Sequence, residues 1–100
     1  MLSGNDEVLL LAVEALGDHA YGATLMKALT EITGKTWSIG AIYDPLYRME
    51  KKGLVSSVMA APGPTRGARS RRVYNLTEEG RQALQVQRGL REALEGLRIN

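Results

Sequence analysis

The hydrophobic period of this chain changes twice, and that change fixes the order in which its elements can be built. Up to Gly53 the apolar residues recur every three or four positions, as one buried helix face requires. From Leu54 to Leu76 the period drops to two, the mark of half-buried strands, and after Thr77 it returns to three and four. A chain of 100 residues with 44% hydrophobic content has material for one core and not for two, so all these segments must share it.

The first helical pattern follows Asn5 and Asp6, either of which can cap it by accepting from free first-turn amides. Val8, Leu9, Leu11, Ala12, Val13 and Leu16 then form a broad apolar stripe that ends at Gly17. A second helix spans "ATLMKALTEIT", with Leu25, Met26, Leu29 and Ile32 on its apolar face and Gly34 as its C-terminal cap. The segment "KTWS" favours an extended conformation and reads as a short strand. A third helix begins at the N-cap Ser38, turns Ile42, Leu46 and Met49 inward, and ends in "RMEKK" before Gly53. Pro45 lies inside it and removes an amide donor, so a distortion is expected near Ala41.

"LVSSVM" and "SRRVYNL" read as a hairpin whose connection, "AAPGPTRGA", is too long and too rich in breakers for a tight turn. Thr77 caps the last helix, with Glu78 and Glu79 favourably placed in its first turn. In that helix Ala83, Val86, Leu90, Ala93 and Leu97 form a seam. The order is helix, helix, short strand, helix, hairpin, helix. This predicts an α+β, mainly α chain: a winged helix-turn-helix, residues 1–76, followed by a C-terminal dimerisation helix, residues 77–100, in one compact unit. The helix has too little of its own domain left to cover its outer residues. A homodimer is therefore expected, with Leu9, Val13, Val86, Leu90, Leu94 and Leu97 at the interface.

Charge divides along the chain. The first 50 residues hold 3 Lys and Arg against 7 Asp and Glu, the last 50 hold 10 against 4, and the whole carries a formal net charge of +2. "RGARSRR" packs four arginines into the tip and return strand of the hairpin, where a wing would meet phosphates. No cysteine and a single histidine leave no metal site, cofactor or catalytic constellation to assemble, so an enzyme is not expected. The longest apolar run, Val8 to Val13, falls far short of the roughly 20 residues that cross a bilayer. With no basic leader before it, a soluble cytoplasmic protein without membrane contact is expected.

Three segments together resemble the PadR family of bacterial transcriptional regulators. "AYGATLMKALTEITG" is similar to the family's second helix, "SIGAIYDPLYRMEKKGLV" to its recognition helix, and "RSRRVYNLTEEGRQAL" to the end of the wing and the start of the last helix. The small members with one C-terminal helix are the nearest in pattern. Two departures stand out: Asp44 separates Tyr43 from Pro45 where the family's proline directly follows the tyrosine, and Ala41 replaces a usual polar residue. Base preference is therefore not carried over.

The resemblance implies a dimeric repressor that binds double-stranded DNA at a near-palindromic operator. Expected DNA contacts are Tyr21 and Lys27 on the second helix, Ser38, Gly40, Ala41, Tyr43, Asp44 and Arg48 on the third, and Arg66, Arg69, Arg71 and Arg72 on the wing. Strand alternation suggests that only one of Arg71 and Arg72 faces the duplex. Some family members bind flat aromatic effectors between subunits, which gives Trp37 a stacking role as an alternative to core packing. The area an indole buries favours the core. A winged-helix adaptor that binds a protein instead of DNA is the rival reading, supported by Asp44, Ala41 and the acidic first half.

Overall fold

The computed structural model describes residues 2–61 and 70–97. Helix α1, Gly4–Leu16, leads through a 3₁₀ turn at Gly17–His19 into α2, Gly22–Thr33, and α3, Ile39–Lys51. Strands β1, Val55–Ala60, and β2, Arg71–Leu76, form an antiparallel hairpin running from Val55 opposite Leu76 to Ala60 opposite Arg71. Helix α4, Glu78–Glu95, completes the described chain.

The helix starts follow from hydroxyls. The Ser38 Oγ accepts from the Ala41 amide at 3.1 Å, and the Thr77 Oγ1 accepts from the Gly80 amide at 3.0 Å, each worth about 1 kcal/mol. In α1 the cap is Ser3, whose Oγ accepts from the Asp6 amide at 3.2 Å, and not the expected Asn5 or Asp6. Gly34 and Gly53, at φ 73° and 79°, close α2 and α3 in the left-handed conformation that glycine adopts without strain. Helix α3 runs unbroken through Pro45; Ala41, which loses its partner amide there, is exposed to water.

The core gathers Leu9, Leu10 and Val13 of α1, Leu25 and Leu29 of α2, and Ile42, Leu46 and Met49 of α3, and the hairpin adds Val55, Tyr74 and Leu76. A leucine this deeply buried contributes about 1.5–3 kcal/mol. Leu9 and Val13 are thereby buried in the core of their own chain, which corrects the expectation that they form an interface between two copies. Ile32 is also corrected: its spacing from Leu25 and Leu29 keeps it on their face of α2, yet at the last turn of the helix it is 82% exposed, beyond the reach of the core. Lys35–Ser38 joins no strand; the sheet has two strands among the described residues. Trp37 is buried, and its indole donates to the Thr33 hydroxyl at 3.0 Å, so it packs in the core and is not open for stacking.

Two neighbouring carboxylates in the first turn of α1 tie the helices together. Asp6 accepts both guanidinium nitrogens of Arg48 on α3, at 2.9 and 3.0 Å. Glu7 accepts from Arg91 at 2.7 Å and Gln87 at 3.0 Å on α4, while the Gln87 amide also pairs with the Leu2 backbone. Both carboxylates are buried, so each needs these partners.

The Arg48 bond, aided by Ser3 and Lys52 and opposed by burial, holds the Asp6 carboxyl below its ordinary range. A lowered folded-state value means that the pair stabilises the protein above the unfolded value of about 3.9, and that this stability is lost as pH falls through the folded value. Urea midpoints of the parent and Asp6→Asn are expected to differ at neutral pH and to converge below about pH 3.9. A gap that stays constant across this range contradicts the assignment.

Candidate nucleic-acid interface

Tyr21 stands immediately before α2, where its backbone amide donates to the Thr24 Oγ1 at 3.1 Å and its carbonyl accepts the Leu25 amide. That arrangement fixes the direction in which its ring leaves the chain. The ring points to the wing, where the Arg71 guanidinium carbon lies 4.6 Å from the ring centroid and its NH1 donates to the Tyr21 hydroxyl at 3.1 Å. The same strand is anchored alongside α2's entry by the Tyr74 amide, which donates to the Ala20 carbonyl at 2.8 Å.

Tyr43 reaches this place from α3. Its phenol lies directly over Gly22: a Cβ added at Gly22 would sit 2.0 Å from the Tyr43 hydroxyl oxygen. The glycine is needed here for space, since its φ is not in the left-handed region. Tyr21, Gly22, Ala23, Tyr43, Ser70, Arg71 and Arg72 together line a pocket of about 250 Å³ between the start of α2, α3 and β2. Both arginines line it, although their side chains leave the strand in opposite directions, because side chains of that length bridge what strand alternation separates. Beneath them, burial pushes the Tyr74 phenol above its ordinary value, with Glu50 and Tyr43 adding to the shift and Arg72 opposing it.

The rest of the α3 surface divides by face. Gly40, Ala41 and Asp44 are exposed near its start, and Lys27 is exposed on α2. The Ser38 hydroxyl is already engaged as the helix cap. Arg48 requires correction: it turns to the α1 side of α3, and its bidentate bond to Asp6 holds it away from the pocket that gathers Tyr21, Tyr43, Arg71 and Arg72. Steps of three and four keep Ala41, Asp44 and Arg48 on one side of α3, but Arg48 lies two turns beyond Ala41, where that side meets Asp6 in the first turn of α1. Arg66 and Arg69 lie outside the described residues.

Tyr47 and Lys51 were not singled out as a pair, yet the Lys51 ammonium sits 4.6 Å from the Tyr47 ring centroid on the exposed side of α3. Their spacing of four was the available signal. Among the described residues no cluster of His, Cys, Asp and Glu could hold a metal ion, and no helix is long and apolar enough to cross a membrane.

The sequence model described as the transcriptional regulator PadR-like family matches residues 9–86, from the core of α1 to the middle of α4. The chain belongs to the PadR-like family. Solved structures of PadR regulators share its fold. A PadR family transcription regulator from Clostridium difficile R20291 superposes with a TM-score of 0.71 at 25% identity, covering 92% of this chain and 92% of that one. A PadR-like transcription factor from Bacteroides fragilis gives a TM-score of 0.76 at 20% identity, with 90% and 82% covered. Bacillus subtilis PadR, solved in complex with operator DNA, gives 0.68 at 19% identity and covers 82% of this chain against 45% of its own. No curated protein matches the sequence. The PadR assignment agrees with the winged helix-turn-helix seen here, mainly helical with a small two-stranded sheet, and makes the protein a transcriptional regulator.

Proposed function

We propose that this PadR-family regulator is a dimeric, sequence-specific DNA-binding repressor. The observation that carries the reading is the meeting of Tyr21, Tyr43, Arg71 and Arg72, from three separate elements, around one pocket beside the recognition helix. Phosphate oxygens would be met by the wing arginines and the start of α2, and base edges by the exposed start of α3 with Gly40, Ala41, Tyr43 and Asp44. Asp44 can accept from a cytosine amino group, while its charge disfavours unspecific approach to the backbone. The relative from Bacillus subtilis that was solved with operator DNA supports the same use of the fold.

Residues 1–76 then act as the DNA-binding unit and residues 77–100 as the dimerisation helix. Two copies related by a two-fold axis would set their α3 helices about 34 Å apart and select a near-palindromic operator. Binding there blocks a promoter by occupying it, a task for the cytoplasm that needs no catalysis.

The test is fluorescence anisotropy with duplexes that the protein itself enriches from a random pool, repeated across salt concentrations. Log affinity is expected to fall linearly with log salt, and Arg71→Ala to make the slope shallower by about one. A flat line, or an enriched pool no better bound than the starting one, refutes the reading. It leaves a protein-binding adaptor as the use of this surface.

A further inference from the structure

A serine hydroxyl on β1 joins the wing arginine Arg72 to the recognition helix. Arg72 stands opposite Met59 in the hairpin, and its side chain runs along the sheet to the diagonal neighbour Ser57. There its NH1 donates to the Ser57 Oγ at 2.9 Å, and the Ser57 hydroxyl gives its own proton to Glu50 Oε2 on α3 at 2.7 Å. A serine hydroxyl has one proton to donate and lone pairs to accept with, so these two bonds run in a fixed direction, from Arg72 through Ser57 to Glu50.

We infer that Ser57 is a positioning residue for DNA binding, which orients Arg72 while keeping its charge available; this rests on the DNA-binding reading above. The argument turns on what the serine prevents. A direct bidentate pair with Glu50 would occupy the fork of the guanidinium and neutralise it. Among the described residues no carboxylate makes a salt bridge with Arg72. One of its five N–H donors is held by Ser57 and the others stay open toward a phosphate.

The side chain is exposed, so without the hydroxyl it would sample many rotamers and have to be ordered on binding. Glu50 in turn holds Ser57, so the two bonds link α3 to both wing strands. Arg48 shows the contrast within the same helix: engaged by Asp6 at two nitrogens, its fork is closed.

The experiment is a double-mutant cycle, read by anisotropy on the enriched duplex across salt, with thermal unfolding run alongside. Ser57→Ala is expected to weaken binding about three- to tenfold with the salt slope unchanged, since no phosphate contact is removed. Ser57→Thr restores the affinity. Arg72→Ala makes the slope shallower by about one, and in that background Ser57→Ala has no further effect. The inference is overturned if Ser57→Ala binds like the parent, or if it weakens binding equally with and without Arg72. If Arg72→Ala binds like the parent the inference fails as well, whereas a parent that binds the enriched duplex no better than the starting pool fails the DNA-binding reading itself.

Discussion

Replacing Gly80 by alanine is expected to destabilise the protein by about 2–4 kcal/mol, although the site is a helix where alanine is ordinarily preferred. A Cβ at Gly80 would lie 2.1 Å from the Leu54 carbonyl oxygen and 2.8 Å from Leu76 Cδ1. Backbone cannot rotate away as a side-chain tip can. The same Leu54 carbonyl accepts the Thr77 amide at 3.1 Å, so pushing it aside breaks the bond that docks the start of α4 on the start of the wing. For a domain of this size the melting temperature should fall by about 10–25 °C. Gly89, farther along α4, supplies the control: nothing lies within 4 Å of its added Cβ, and Gly89→Ala should stabilise by up to about 1 kcal/mol. Circular dichroism melts of the two variants check both; equal melting temperatures would show that the close approach at Gly80 has no energetic weight.

A second large effect is expected on α4. Val86, Leu90, Leu94 and Leu97 follow one another at steps of four, four and three and are exposed, Leu90 by 41% and Leu94 by 59%, while only Gly80 and Leu84 of the helix are buried. Grooves of about 540 and 370 Å³ flank this stripe, the larger bounded by Met49, Leu54 and Ala83, the smaller reaching Leu94. An apolar stripe this continuous in water is characteristic of an interaction surface. On the proposed dimer, Leu90→Glu with Leu94→Glu places charges at the two-fold axis. The expected result is a folded monomer by light scattering, with a melting temperature set by the untouched core. Affinity for the enriched duplex should fall by about a hundredfold, since each half-site is then bound alone. Persistence of a dimer, or unchanged DNA affinity, contradicts the role given to α4.

Much of the architecture was legible because period and punctuation agree in this chain. Ser38, Thr77, Gly34 and Gly53 mark element ends where the structure has them, and Ile42, Leu46 and Met49 point inward as their spacing requires. Contacts between elements were the illegible part. Nothing local distinguishes Arg48 from the other cations of α3, because its partner Asp6 lies 42 residues away. Leu9 and Val13 belong to a stripe broad enough to serve either a core or an interface, and only the packing of α2, α3 and the hairpin onto α1 decides between them. Gly22 and Gly80 look like ordinary helix glycines, yet each is required by an atom from a distant segment, the Tyr43 phenol and the Leu54 carbonyl. Ser57 carried no signal at all in a strand rich in small polar residues.

The most direct test follows backbone amide NMR shifts while the enriched duplex is titrated into the protein. The largest changes should fall on Tyr21, Gly22, Tyr43, Arg71 and Arg72, with Gly40 and Asp44 among the next, and those of Val86 and Leu90 should stay where they are. Shifts concentrated on α4 and the first turn of α1, with the pocket between α2, α3 and β2 silent, would mean that this surface is not where DNA binds.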